Sequence, residues 1–524
     1  MMGHPMRAVA PKPLLPRGAP LPRSVVCAMA LGLIVSGVLH VSPAPAQDLH
    51  QAIRSEDVQR VRAILGADPT APRTRRDGIY PLHQAARQGN RTIAEMLIAK
   101  GAEVNQFGAE ATDFSPYEFT PLTEAIRAGH LGMMRLLVEK GARLDRVTSY
   151  GESYLHFAVF TNQKEAAAFL IDHGIDVNAR KSGGLTPLHL AAVMGFDDVV
   201  TLLIERGARL DLRSADGATP LHLAEAAGRT QTATLLKSKG AKALPRRFPR
   251  YAGAYLGARA PGLKPEPFAP GLFRDIYRVH SPPAFSPDGR EVYWECMFMR
   301  GNNDASRIWF MREENGRWTP PRVAPFSAYP SGGPVLLPDG KSLVYASSQP
   351  RDQSSRPAGD LDLWIVKRED GAWGLPKHLQ TPLNREGSHE AYPRVAGDGS
   401  IYLNQGSRGL VKSALVDGRY GEIETIGDLF DTTALDRCRA IEHILISSDR
   451  RRPERFEYEI YVSFHDSDGR WSKPICMADR LHPGRRAAQA AVTLDGKYLF
   501  FTSDFYFEWV DARLLEEFRT LSRR

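Results

Sequence analysis

The sequence predicts a multidomain chain in which an all-α solenoid of stacked helix pairs precedes an all-β propeller of five blades, with six as the alternative. Three observations carry this reading. Tyr80-Pro81-Leu82-His83 recurs as Thr120-Pro121-Leu122-Thr123, Ser153-Tyr154-Leu155-His156, Thr186-Pro187-Leu188-His189 and Thr219-Pro220-Leu221-His222, at intervals of 40, 33, 33 and 33 residues. A second marker, Gly101, Gly141, Gly174, Gly207 and Gly240, repeats in the same register, and a fixed period of this length marks a repeat architecture. Beyond Glu266 the helical period gives way to Asp-Gly turn signals before strand-like runs such as Val292-Tyr293-Trp294 and Tyr498-Leu499-Phe500-Phe501.

Within one unit the helix logic is local. Thr186 supplies an N-cap hydroxyl, and Pro187 takes the first helical position, where a missing N–H costs nothing. Leu188, Leu190, Ala191 and Ala192 form an apolar face with small groups, and Gly195 ends the helix in the left-handed region. Asp197 and Asp198 open a second helix at its positive end. Its core face is Val199, Val200, Leu202, Leu203 and Ile204, and Gly207 stops it. Leu49-His50-Gln51-Ala52 lies 33 residues before Leu82-His83-Gln84-Ala85, so an atypical sixth unit opens the series.

The T-P-L-H motif and the period closely resemble the ankyrin repeat, over residues 47–243. The resemblance implies protein partners, taken on the concave face and turn tips. It also implies a structural role for His83, His156, His189 and His222, each hydrogen-bonding a neighbouring turn. The 40-residue interval holds an insertion from Phe107 to Phe119. Insertions in such arrays map to loops on one face, often the binding face. Its aromatics either anchor a partner or fold back onto the array. The candidate partner-binding residues are Phe107, Phe114, Tyr117 and Phe119, with Tyr150.

Residues 244–266 read as a solvated linker, rich in proline and basic side chains. In residues 267–514 one hairpin motif occurs at Ser286-Pro287-Asp288-Gly289, Pro338-Asp339-Gly340, Asp398-Gly399 and Asp495-Gly496. A second interleaves at Asn315-Gly316, Asp370-Gly371, Asp417-Gly418 and Asp468-Gly469. Asp-Gly supplies the positive φ angles of a tight hairpin, and two hairpins per roughly 50 residues make a four-stranded blade. A strand near Phe273 to Val279 is expected to complete the last blade, and residues 515–524 read as a tail. The stretch resembles TolB-type propeller repeats, including the lead-in Glu266-Pro267-Phe268-Ala269-Pro270-Gly271.

Residues 1–46 read as a secretory signal: Arg7, Lys12, Arg17 and Arg23 precede the apolar run Val25 to Val41, and Ala44-Pro45-Ala46 has the form of a cleavage site. Cleavage between Ala46 and Gln47 predicts a periplasmic or secreted location, with no membrane span afterwards. Of the formal +8 charge, that segment carries four, leaving 64 basic against 60 acidic residues. Such a balance is no nucleic-acid footprint. Cys296, Cys438 and Cys476 form no CxxC pair, and either one disulfide with a spare thiol in an oxidising compartment or buried free cysteines is compatible with them.

No G-x-S-x-G elbow, HExxH helix or P-loop occurs, so neither catalytic residues nor a cofactor or metal is expected. His389-Glu390 reads as a solvated loop pair, and Asp468-Gly469-Arg470-Trp471 as a hairpin turn. The expected function is that of an exported, non-enzymatic interaction scaffold of the bacterial cell envelope, with a protein or envelope component on the propeller. The alternative is a glycan- or peptidoglycan-directed enzyme or binder with its site in the propeller channel.

Overall fold

The computed structural model describes residues 45–522, apart from 77, 110–117, 149–150, 247, 274–278, 280, 298–305, 352–360, 386–389, 391–392, 406–409, 427–434, 442–443, 453–456, 466–470, 482–487 and 504–505. Residues 1–44 of the predicted signal segment and the Asp468 turn lie outside these residues. The first helix, Pro45–Arg54, runs across the predicted cleavage position.

Six helix pairs follow one another among the described residues. They begin with Pro45–Arg54 and Val58–Ala67 and end with Pro220–Ala226 and Thr230–Ser238. First helices pack on first helices and second on second, so each unit buries its apolar stripe against its neighbours. The caps work as the sequence suggests. Thr186 accepts from the His189 N–H, Pro187 stands at the first position, and Gly195 closes the helix at φ +80°. Leu188, Ala191, Ala192, Val199, Val200 and Leu203 are all fully buried. The region is not purely helical, however. The insertion builds a two-stranded antiparallel hairpin, Gly108–Ala109 with Glu118–Phe119.

The C-terminal region is β-rich and propeller-like. Five antiparallel sheets of four or five strands each are formed by the described residues. The first strands of successive sheets are Ala284–Phe285, Ser331–Leu336, Arg394–Val395, Leu435–Ile441 and Ala488–Val492. Each packs against the next, which sets them as an inner row. The last sheet meets the first through Phe500 and Phe285, whose ring centroids lie 5.3 Å apart. The strand that completes the last sheet is Glu266–Pro267, paired with Trp509 and Glu508. Most of the Phe273 to Val279 stretch expected from sequence lies outside the described residues, and Pro270–Phe273 at its start is helical. Phe268 and Phe273 fill the seam instead, both buried, with their aromatic rings 5.8 Å apart. Nor is the end of the chain a loose tail. Leu514–Ser522 is a helix whose Leu514, Leu515 and Phe518 are buried against the last two sheets.

The two hairpin motifs turn differently. Asn315-Gly316, Asp370-Gly371 and Asp417-Gly418 have positive φ at both residues, as a type I′ turn requires. In Ser286-Pro287-Asp288-Gly289 only the glycine is positive. There Gly289 N–H donates to Ser286 O, and the Asp288 carboxylate accepts from the Ser286 hydroxyl at 2.6 Å and Arg290 N–H at 3.0 Å. Proline can therefore precede this aspartate, because it occupies the first central position of a type I turn.

Candidate protein-binding surface

Each repeat spends its polar groups on its neighbour. In the fourth and fifth units Nδ1 of the histidine accepts from its own cap: Thr186 N–H lies 3.2 Å from His189 Nδ1 and Thr219 N–H 3.1 Å from His222 Nδ1. With Nδ1 accepting, the proton is on Nε2, which donates to the next unit. His189 Nε2 reaches Ala218 O at 3.2 Å, His156 Nε2 reaches Leu185 O at 3.3 Å, and His83 Nε2 reaches Phe119 O at 2.8 Å. Burial favours the neutral rings, holding His156 down to about 3 and His189 to about 4, against partial compensation from the carbonyls they face. The same cause lowers His83. These imidazoles are ties between layers.

The third unit departs from the motif for a structural reason. The second unit carries Thr123 where the others carry histidine, so it has no imidazole to reach forward. Tyr154, in the proline position of the third unit, reaches back instead: its hydroxyl lies 2.9 Å from Thr120 Oγ1, and the ring is buried. Lateral ties at the turn tips are made by asparagines. Asn105 donates to Gly141 O at 2.9 Å and accepts from Arg143 N–H at 2.9 Å; Asn178 does the same with Gly207 and Arg209.

Against this frame the candidate aromatics separate. Phe119 folds back: it is 4% exposed, edge-on to Phe157 at 6.3 Å, with the Arg127 guanidinium 5.4 Å from its ring centroid. Phe107 stays out at 37% exposure, with the Arg146 guanidinium 4.4 Å above its ring. Val147, next to that arginine, is 62% exposed. Phe107, Arg146 and Val147 thus bring apolar and cationic groups together on adjoining turn tips. Phe114, Tyr117 and Tyr150 lie outside the described residues.

A second polar feature lies on the first-helix row. Glu124 is 2% exposed and takes a two-pronged contact from Arg87, Nε at 3.0 Å and Nη2 at 3.1 Å, with Arg127 Nη1 at 3.6 Å. Both arginine side chains keep a third of their surface exposed. Motif spacing missed this triad. Its only sequence signal is an acid at the motif position that Leu190 and Leu223 fill elsewhere.

In the β-region Glu390 is fully buried, not solvated as its loop setting suggested, and its N–H donates to Leu361 O at 2.9 Å. His389 lies outside the described residues. Glu295 is likewise buried, accepting from Gly333 N–H at 3.0 Å and the Ser306 hydroxyl at 3.2 Å. Gly332 makes room for it, since a Cβ there would meet the carboxylate at 2.5 Å. This carboxylate pins the first sheet to the second. The described residues hold no group of three or more histidine, cysteine or acidic side chains placed for a metal ion, and no helix among them is long and apolar enough to cross a membrane.

Known proteins resemble this chain in its helical part. A family model described as ankyrin repeats matches three times, over residues 49–146, 107–181 and 178–246. An ankyrin repeat protein of Rickettsia felis is 41% identical over 109 residues, which is 19% of this chain and 45% of that protein. Dauer abnormal formation protein 25 of Caenorhabditis elegans is 32% identical over 130 residues, 25% of this chain and 32% of that one. A protein of Danio rerio named as a palmitoyltransferase is 30% identical over 141 residues, 26% and 21% of the two chains. This chain therefore spans less than half the length of these relatives, and what it shares with the matching family is a set of ankyrin repeats within residues 49–246.

Proposed function

We propose that this chain is an exported, non-enzymatic scaffold of the bacterial cell envelope, whose ankyrin array captures a protein partner at its turn tips. The single observation that carries the reading is the division of labour within the array. Histidine, threonine and asparagine side chains are committed to ties between layers, while Phe107, Arg146 and Val147 stand together at the surface. An aromatic ring beside a guanidinium is the chemistry that interface hot spots favour. Export rests on the basic and apolar segment ahead of Ala46, and the β-region is read as a TolB-type propeller of five blades on its repeated hairpins and its lead-in. That region supplies a second rigid surface, for a protein or envelope component.

The test is capture from a native envelope extract by the immobilised full chain. The wild type retains a specific protein, and Phe107→Ala with Val147→Asp releases it while leaving the helical signal unchanged. Retention by the double variant moves the site elsewhere on the array; capture of nothing by the wild type removes the reading.

A further inference from the structure

The stretch between the array and the β-region is not a solvated connector. Its first anchor is on the last ankyrin turn. Asp216 is buried there by the Ser214 hydroxyl and the Ala218 N–H, and Arg246 forms an ion pair with it. Arg213 of the same turn donates to Pro245 O at 3.1 Å. The Arg246 guanidinium lies 5.3 Å from the Phe248 ring centroid, and Phe248 meets Tyr251 edge-on.

From Tyr251 the chain fastens to the first sheet. Trp318 donates its backbone N–H to Tyr251 O at 3.0 Å and its indole N–H to Gly253 O at 2.8 Å. Gly253 N–H donates to Glu313 at 2.7 Å, and Tyr255 N–H to Gly289 O at 2.7 Å. Tyr255 and Leu256 are held at φ +52° and +58°, a conformation that persists only where surrounding contacts enforce it. The Tyr255 ring then sits at the seam, 4.8 Å from Phe285 of the first sheet and 5.0 Å from Tyr498 of the last. Gly262 O accepts from Asp511 N–H at 3.0 Å, and Glu266–Pro267 completes the last sheet.

We infer that residues 246–268 are a coupling strap that makes closure of the β-ring depend on the last ankyrin turn. One end grips Asp216, the middle clamps the first sheet, and the other end is itself a strand of the last sheet. Displacing Arg246 from Asp216 loosens the seam, and opening the seam in turn loosens that turn, because coupling between two sites is reciprocal. A partner that competes for the Asp216 turn would act on the ring through this strap.

Hydrogen exchange on the full chain tests it with one variant at each end: Arg246→Ala at the array, and Trp318→Phe at the first sheet. Each removes about one net hydrogen bond from the strap, so exchange in residues 266–268, 284–297 and 498–511 should quicken roughly five- to tenfold in both. Residues 81–172 and 331–347 should exchange as in the wild type. If Arg246→Ala leaves the seam at the wild-type rate, array and ring are independent and the inference fails, whatever Trp318→Phe does. Should Arg246→Ala prevent folding, Arg246→Lys takes its place, read in the same two ways.

Discussion

Tyr154 stands where sister units carry proline, and its value lies in one hydroxyl. The second unit lost its forward-reaching imidazole to Thr123, and the Tyr154–Thr120 bond is the replacement tie between the second and third layers. Tyr154→Phe keeps the buried ring and deletes only that bond, so it should cost about 1 kcal/mol; a midpoint of urea unfolding equal to wild type would show that the tie contributes nothing. The histidine ties carry a pH dependence of definite sign. His156 and His189 have folded-state pKa values of about 3 and about 4, below the ordinary 6.5. The unfolded chain therefore binds protons below pH 6.5 that the folded array refuses. Their stabilisation is complete above that pH and is lost as the pH falls through the window from 6.5 toward 4 and 3. On the order of 2 kcal/mol per histidine should disappear between pH 7 and pH 5. Far-UV circular dichroism with urea at the two pH values measures it, and His189→Gln should flatten the dependence by about half. An array equally stable at both values would mean that these imidazoles are not the buried neutral groups described.

Helix pairs were legible before any coordinates because their causes are local: a capping threonine, a proline at the first position and a glycine at the end lie within ten residues of one another. The hairpins were legible for the same reason, although the proline-bearing copies close with a type I turn and a single left-handed glycine. The insertion was legible as an interval of 40 against 33. The fate of Phe119 was not, since its burial is decided by Phe157 and Arg127 in other helices. Register decides against one of the disulfides that composition left open. In the fourth sheet Cys438 pairs with Ser447, Ser447 with Tyr461, and Tyr461 with Cys476. The two cysteines share one row three strand steps apart, about 14 Å, twice the reach of a disulfide. Cys296 is fully buried in the first sheet. Digestion of the denatured monomer without reductant should therefore yield no peptide pair joined through Cys438 and Cys476; finding that pair would contradict the register of this sheet.

Joining the parts is where sequence reading fell short, and the reason is physical. The strap looks like a linker because prolines and basic residues fill it, yet its partners are Trp318, Gly289 and Asp511, from 34 to more than 200 residues away in sequence. The helix Leu514–Ser522 was missed in the same way, being too short for periodicity to declare and stabilised by what it covers. One buried apolar cluster runs from the array through Tyr255 into the seam of the first and last sheets, whereas the fourth and last sheets share a separate core. That second core contains Ile460, Val462, Phe464, Leu499, Phe501 and Val510, and its outer side is closed by Leu514, Leu515 and Phe518. Arg519 adds a guanidinium 4.9 Å from the Phe464 ring centroid. Phe518→Ala removes the central plug and should cost about 3 kcal/mol, read as a lower urea midpoint for the β-sheet signal. Glu516→Ala, on the exposed side, should change it by less than about 0.5 kcal/mol. Cutting the chain after Asp511 goes further, deleting three large side chains whose burial is worth about 1.5–3 kcal/mol each as an upper bound and baring the strands they cover. The truncated protein should bind a hydrophobic dye and exchange amide protons rapidly in Glu457–Phe464 and Tyr498–Ser503, while its helical signal persists. If it keeps wild-type exchange in those strands, the helix is an ornament on a ring that holds itself together.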